Sequence, residues 1–363
     1  LLEDLARRGR SQGIHLVLAS QDLRGIEALW GRPALIAQFS LRIALPKALR
    51  ILDERNDAAQ SLPRFHAVVN ADSGLAEANR IARIPDVSDT VQWRELQRRL
   101  WRMRSPDSAP VRLFDGDAVP RLDEAPDFLA LRPQDSAVAP VAVLGEVIDV
   151  RARSATMQMR RAPGRNLAVL GTRVDEACAV LGAAARSLSR QHHPGSARFS
   201  IACLDPDADA AARALYDELA PDVAWYDDET VDELFAETAA EVVERTRDEP
   251  HYLLLYAVDA VTGRLDAGLN RLRRILHDGP ERRTHVLAWW RGVARMRQDL
   301  GGPGARTDHI GAWVALDVQG AELGPLYPGN GGVDWYPRPW RGLYFDRSAH
   351  RTARTIVPYG DAR

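Results

Sequence analysis

Two patterns of apolar residues alternate over residues 141–363. Short continuous apolar runs predict strands that are buried on both faces, at residues 166–171, 199–204, 252–258 and 284–289. Longer amphipathic segments predict helices at residues 174–191, 208–219, 231–247 and 265–276. Strands that alternate with helices of this length are typical of a doubly wound α/β sheet.

The preceding 140 residues have a mixed pattern. In residues 1–89 the pattern predicts strands at 14–19 and 39–45, a helix at 48–60, and a hairpin whose strands are 66–70 and 78–84. Residues 90–140 begin with an arginine-rich helix at 91–104 and continue with proline- and aspartate-rich sequence, which indicates a linker. The predicted domains are therefore 1–89 and 141–363, joined by 90–140.

The first domain repeats the end of the second. The matching segments, about 270 residues apart, are 13–18 with 283–288, 41–45 with 312–316, and 63–70 with 339–346. Because three segments match in the same order, we interpret the similarity as an internal duplication. On this interpretation residues 1–89 are the C-terminal half of a domain whose first half lies upstream.

Composition and charge narrow the functional classes. The net charge is −2, so no global basic field indicates nucleic-acid binding. The two cysteines, Cys178 and Cys203, lie in apolar stretches and are expected to be buried free thiols in a reducing cytoplasm. No metal-ligand spacing is found, and no run is long and apolar enough to predict a membrane span. Lys47 is the only lysine, and no glycine-rich loop precedes it, so it cannot be the lysine of a P-loop.

The N-terminal segment closely resembles the FtsK/SpoIIIE family of P-loop motors. The residues that carry the resemblance are 5–21, Leu-Ala-Arg-Arg-Gly-Arg-Ser-Gln-Gly-Ile-His-Leu-Val-Leu-Ala-Ser-Gln, followed by 41–44 and by Arg-Ile-Leu-Asp at 50–53. The family implies RecA-like P-loop NTPase sheets with flanking helices, arranged in rings or tandem arrays that move DNA. In its EccC-like relatives of type VII secretion, tandem domains engage protein substrates instead.

Two catalytic roles in the first domain follow from this resemblance alone. Gln21 would be the polar residue that contacts the γ-phosphate or orients the attacking water. Arg42 resembles the arginine that family members place near a neighbouring subunit's nucleotide. The alternatives are a glutamine that bonds to backbone and an ordinary arginine on the surface of a sheet.

Against the same template, the second domain is predicted to be a degenerate copy. Gly171 ends a strand at the Walker A position, but the lysine and the other residues that bind phosphate and magnesium are replaced by Glu176, Ala177 and Cys178. Asp259 ends the strand that corresponds to Walker B, and Ala260 stands where a catalytic acid would follow. We therefore expect Gly171 and Asp259 to be remnants of a nucleotide site.

In the repeat, Arg291 corresponds to Gln21 and Trp313 to Arg42, so the second copy lacks both of the residues to which the resemblance gives catalytic roles. This difference supports the prediction that the second copy is inactive. ATP and Mg²⁺ are accordingly expected as cofactors of the full-length protein only, and not of this chain alone.

The expected function is that of a C-terminal segment of an FtsK/SpoIIIE-like ATP-driven DNA translocase with a regulatory or structural second domain. One alternative is an EccC-like secretion ATPase segment that binds a protein substrate. Another is a non-enzymatic DNA-binding or assembly module, for which the candidate contacts are Arg94, Arg98 and Arg102. We expect homo-oligomers formed through the RecA-like domains, a cytoplasmic location and no direct membrane contact from this segment, although the full-length protein could be membrane-associated.

Overall fold

The computed structural model describes residues 2–20, 29, 31–108, 115, 117–134, 138–149, 151–244, 249–327 and 333–360. Its contacts divide the chain into two units, Leu1–Pro110 and Val111–Arg363. The predicted domain boundaries near residues 89 and 140 stay predictions.

The first unit contains a three-stranded antiparallel sheet. Its helices and strands are α1 (Leu2–Arg8), α2 (Pro33–Ile36), β1 (Arg42–Ala44), β2 (His66–Asn70), β3 (Asn79–Arg83) and α3 (Thr90–Arg102). The strand order is β1-β2-β3, with Ile43 opposite Val69 and Val68 opposite Ile81. The predicted hairpin over residues 66–84 is confirmed.

The strand predicted for residues 14–19 is wrong for the part of the chain that the structure describes. No strand forms there, and Ile14, Val17 and Leu18 are exposed. A continuous apolar run is buried as a strand only where other strands lie beside it. In this unit the sheet consists of β1, β2 and β3, and residues 14–19 do not pair with any of these strands.

The helix predicted for residues 48–60 is also wrong. Arg50 has a φ of 61°, in the left-handed region that an α-helix cannot contain, and only a short 3-10 helix forms at Ala58–Ser61. Asn56 instead donates from Nδ2 to the carbonyl oxygen of Gly74 at 2.6 Å and to Oδ1 of Asn79 at 3.0 Å. These hydrogen bonds tie the segment to the β2–β3 turn and outweigh its helical propensity.

The second unit is organised around a ten-stranded sheet. Among the described residues its helices are α4 (Pro126–Leu129), α5 (Val174–Ser189), α6 (Asp209–Leu219), α7 (Val231–Glu244), α8 (Asp266–Asp278) and α9 (Val293–Asp299). Its strands are β4 (Val141–Val147), β5 (Ser154–Gln158), β6 (Leu167–Leu170), β7 (Arg198–Cys203), β8 (Val223–Tyr226), β9 (His251–Tyr256), β10 (Thr284–Trp290), β11 (Ala312–Ala315), β12 (Gly342–Asp346) and β13 (Arg354–Val357).

The strand order is β5-β4-β13-β12-β11-β6-β10-β9-β7-β8. The six strands from β11 to β8 are parallel, and the strands from β12 to β5 continue the sheet in antiparallel pairs. The four predicted strands of the parallel region and the helices that follow them are found within a few residues of their predicted bounds. The carboxyl ends of the parallel strands therefore share one edge of the sheet, where ligands of open α/β folds bind.

Both faces of this sheet are buried, because alternate residues of each strand point to opposite sides. On β10, Trp289 packs into the cluster that contains α5 and α6, whereas Trp290 packs into the cluster that contains α7, α8 and α9. This two-sided burial explains why the strands appear in the sequence as continuous apolar runs.

The internal repeat is visible in the strand pairing. β1-β2-β3 and β11-β12-β13 have the same order and the same antiparallel pairing. The aligned residues Asn70 and Asp346 both end the middle strand, and each accepts a hydrogen bond from the backbone N–H two residues later, at 3.0 and 2.9 Å. The similarity therefore extends from strand order to the side chain that ends the strand.

Candidate functional site

The turn after β6 has no room for a phosphate-binding loop. Only Gly171, Thr172 and Arg173 separate β6 from α5, which begins at Val174. The three residues that replace the glycine, lysine and hydroxyl of a Walker A motif lie inside this helix and are buried: Glu176, Ala177 and Cys178. The first turn of α5 therefore fills the space that a longer glycine-rich loop would leave open.

Hydrogen bonds within the protein hold this turn closed. Gly171 donates to the carbonyl oxygen of Trp290 at 3.0 Å and accepts from the indole N–H of Trp289 at 2.7 Å. The backbone N–H of Thr172 donates to Oδ1 of Asp317 at 2.6 Å, and the Thr172 hydroxyl donates to Oδ2 of the same carboxylate. The Thr172 N–H, which could bind an anion at such a turn, thus donates to a carboxylate of the protein itself.

Gly171 is required at its position for steric reasons. Its φ of 138° is one that residues with a side chain rarely adopt, and a Cβ atom there would lie 2.1 Å from Oδ1 of Asp317. In a P-loop, a glycine permits the backbone to approach a phosphate closely. In this chain, Gly171 permits the close approach of Asp317 instead.

Glu176 places a second carboxylate at the same site. It is 4% exposed and accepts from the backbone N–H of Trp340 at 2.8 Å and from Nη1 of Arg173 at 3.1 Å. Arg173 also donates to the carbonyl oxygen of Arg338, so residues 338–340 cover the start of α5. Burial raises the pKa of Glu176, and its hydrogen bond with Trp340 and the charge of Arg173 oppose that rise.

Asp259, the predicted Walker B remnant, lies at the same edge of the sheet, where two arginines bind it. Arg291 donates to Asp259 through its backbone N–H and through Nε, both at 3.0 Å, and Nη1 of Arg295 donates at 2.9 Å. Nη1 of Arg291 also lies 3.5 Å from Oδ2 of Asp205, which follows β7. The side chain of Asp259 is 2% exposed, so a magnesium ion would have to displace the arginines to reach it.

The structure thus brings Gly171 and Asp259 to one edge of the sheet, on either side of the end of β10. Sequence reasoning identified both residues but missed Arg173, Asp317 and Arg295. The only signal for these was position: Asp317 directly follows the strand at 312–316, and Arg295 lies one helical turn after Arg291.

The two residues with predicted catalytic roles belong to the first unit. Gln21 lies outside the residues that the structure describes. Arg42 begins β1 and is partly buried; its Nε donates to the carbonyl oxygen of Phe39 at 3.1 Å and its Nη1 to that of Ile51 at 3.3 Å. Burial lowers the pKa of Arg42, and the charge of Asp53 opposes that change. Both catalytic roles stay predictions.

Arg94, Arg98 and Arg102 lie at intervals of four residues on α3 and therefore share one face of that helix. They are exposed, and no carboxylate in the described part of the chain forms an ion pair with any of the three. Asp89 caps the helix, because its carboxylate accepts from the N–H groups of Val91 and Gln92 at 3.0 Å.

The described residues also limit which metal, thiol and membrane features the chain can have in that part of the structure. They contain no group of three or more His, Cys, Asp or Glu side chains arranged to hold a metal ion. Cys178 and Cys203 are buried, and neither forms a disulfide bond with a described residue. None of the helices in these residues combines the length and the apolar character that a membrane span requires.

Solved structures similar to this chain belong to type VII secretion ATPases. The cytoplasmic domain of EccC from Thermomonospora curvata matches with a TM-score of 0.62 and 20% identity, over 98% of this chain and 44% of that one. ATPases 2 and 3 of the same EccC, solved with a signal sequence peptide, match with a TM-score of 0.58 and 14% identity, over 100% and 65%. This chain thus spans less than two thirds of the length of either structure.

No family model matches this sequence, and no curated protein matches it either. At 14–20% identity the two structures establish the fold. The predicted fold class is confirmed: the chain has α/β sheets with flanking helices, as in RecA-like P-loop ATPase domains. Membership of FtsK/SpoIIIE in particular stays a prediction.

Proposed function

We propose that this chain is a segment of an EccC-like P-loop motor ATPase and that its second unit is a RecA-like module that does not bind nucleotide. The observation that carries the proposal is the closure of both halves of the expected nucleotide site by internal hydrogen bonds and ion pairs. Glu176 and Asp317 occupy the phosphate side, and Arg291 and Arg295 occupy the magnesium side.

The charges explain why a triphosphate is excluded. A P-loop stabilises phosphates with free N–H groups and a lysine, whereas this turn offers two carboxylates. An entering phosphate would have to replace Asp317 at the Thr172 N–H and would then lie close to Glu176. ATP and Mg²⁺ on this proposal act elsewhere in the full-length protein, and the second unit contributes protein docking or assembly. The EccC structure solved with a signal sequence peptide supports a protein substrate over DNA.

Thermal unfolding of the 363-residue chain with and without Mg-ATP tests this proposal. A ligand that binds only the folded state at a concentration about 100 times its Kd would stabilise the fold by about 2.7 kcal/mol. We expect the unfolding midpoint of the second unit to be the same in millimolar Mg-ATP as in millimolar Mg-sulfate. A rise of several degrees with Mg-ATP alone would refute the closed site.

DNA binding through α3 is the second candidate function, and the unpaired row of Arg94, Arg98 and Arg102 favours it. If these arginines contact phosphates, DNA affinity should fall with salt, and Arg98→Gln with Arg102→Gln should reduce the log–log salt slope by about 2. Arg213→Gln, which removes an exposed arginine of α6, is the control. An unchanged slope in the double variant would remove α3 as a contact.

A further inference from the structure

A cavity of about 540 Å³ opens in the second unit at the amino ends of the parallel strands, the edge opposite Gly171 and Asp259. We call it the basic pocket. Its lining includes three arginines and three histidines, whereas none of the described residues that line it is an aspartate or glutamate: Arg160, Arg161, Arg283, His192, His193 and His285. Because the chain as a whole has 50 acidic and 48 basic residues, this one-sided lining differs sharply from its average.

His285 offers a buried hydrogen-bond acceptor to this pocket. It is 2% exposed, and Nδ1 lies 2.8 Å from the carbonyl oxygen of Arg165. A carbonyl only accepts, so Nδ1 carries the proton. Burial lowers the pKa of His285 to about 4, which keeps the ring neutral and Nε2 an acceptor at physiological pH. No described residue donates a hydrogen bond to Nε2.

The second imidazole of the pocket wall is also neutral. His192 Nε2 lies 2.9 Å from the hydroxyl of Tyr252, whose ring stacks on His285 with centroids 5.9 Å apart. Burial, together with the positive charge of Arg283, lowers the pKa of His192 to about 4. The charge of Arg283 thus reaches the inner wall of the pocket.

The backbone at Arg283 indicates that its side chain matters there. Its φ is 60°, in the left-handed region that glycine and asparagine occupy more readily, at the turn between a short 3-10 helix and β10. An arginine persists at this position although glycine would relieve the strain, and such outliers concentrate at ligand sites.

We propose that the basic pocket binds a small molecule that combines an oxyanion, an apolar body and a hydrogen-bond donor. Arg283 and Arg160 hold the carboxylate or phosphate, Met159 and Pro140 contact the apolar body, and Nε2 of His285 accepts from the donor. The volume suits a ligand of this size. Each part of the ligand is therefore matched by a group that the pocket already positions.

Three related probes separate these contributions by isothermal titration of the full chain. We expect para-hydroxycinnamate, with an anion and a donor, to bind saturably with a Kd below about 1 mM. Cinnamate lacks the donor and should bind roughly three- to tenfold more weakly. The neutral para-hydroxycinnamyl alcohol lacks the anion and should bind at least about tenfold more weakly. Naphthyl phosphate in place of the carboxylates shows which oxyanion is preferred.

Variants locate the site. Arg283→Gln should weaken binding of para-hydroxycinnamate about tenfold, whereas Arg213→Gln, on α6, should leave it unchanged. Ring resonances of His192 and His285 should move on titration, and those of the exposed His277 should not. This readout uses the unaltered protein and holds even if Arg283→Gln unfolds. Equal binding of the neutral alcohol, no saturation by either carboxylate or the phosphate, or unmoved His192 and His285 resonances would overturn the proposal.

Discussion

Arg291 donates hydrogen bonds to both carboxylate oxygens of Asp259, from its backbone N–H to one oxygen and from Nε to the other, both at 3.0 Å. In the internal repeat Arg291 aligns with Gln21, the residue expected to face the nucleotide in the first copy. The position that is expected to hold a water-orienting glutamine in the first copy therefore holds an arginine in the second. This arginine binds Asp259, the residue expected to be the remnant of a magnesium ligand.

The first prediction concerns the stability of this ion pair. Asp259→Ala should lower the free energy of unfolding of the second unit by about 3 kcal/mol, because it leaves the guanidinium groups of Arg291 and Arg295 without their buried partner. Arg295→Ala is the matched control and should cost at most about 1 kcal/mol, since that side chain is 60% exposed. Urea unfolding measures both, and similar costs for the two variants would contradict the structural role of Asp259.

A second prediction is the pH dependence of the Glu176 contribution. The pKa of Glu176 is raised in the folded state, so between the ordinary value of 4.5 and the folded value the native protein binds more protons than the unfolded chain. Stability from this group is therefore present at low pH and is lost as pH rises through the folded pKa.

Glu176→Gln isolates that effect, because glutamine does not titrate and keeps an oxygen for the Trp340 N–H. The free energy of unfolding of the wild type minus that of the variant should decrease as pH is raised from 4 upward. Urea unfolding at a series of pH values gives the difference. A difference that grows with pH would mean that Arg173 and Trp340 outweigh burial.

The third prediction assigns a structural contribution to Arg42. Arg42→Gln should destabilise β1 and β2 by about 1–2 kcal/mol, because the carbonyl oxygens of Phe39 and Ile51 lose charged hydrogen-bond donors. Amide hydrogen exchange of Val68 and Val69 reports the loss. Arg80→Gln, on the exposed side of β3, should change protection by less than about 0.5 kcal/mol. If the two variants behave alike, Arg42 is an ordinary surface arginine of the sheet.

The four predicted strands of the parallel region were predictable because they are buried on both sides. Residues 167–170 and 251–256 are apolar or aromatic almost throughout, and packing and propensity point the same way there. β8 was missed, because a four-residue edge strand that is only partly buried carries a weak pattern. Residues 14–19 show the converse: an apolar run predicts a strand only together with neighbours that the run itself cannot reveal.

The sequence predicted which phosphate-binding residues the candidate site lacks, but it did not predict the contacts that take their place. The absence of a glycine, a lysine and a hydroxyl at residues 176–178 is visible in the sequence. The Asp317–Thr172 contact joins residues 145 positions apart, and the contact of Glu176 with the Trp340 N–H joins residues 164 apart. Such contacts depend on the three-dimensional positions of the end of β11 and of residues 338–340. Local sequence patterns do not specify these positions.

Titration calorimetry of the purified 363-residue chain with Mg-ATP tests the central claim most directly, since it measures binding at the turn after Gly171 without requiring turnover. The closed site predicts that the Arg283→Gln variant, which lacks the oxyanion contact proposed for the basic pocket, gives no saturable heat of binding up to millimolar Mg-ATP. Micromolar binding that Thr172→Pro abolishes, by removing the backbone N–H that now contacts Asp317, would show that the turn captures phosphate and would contradict the account.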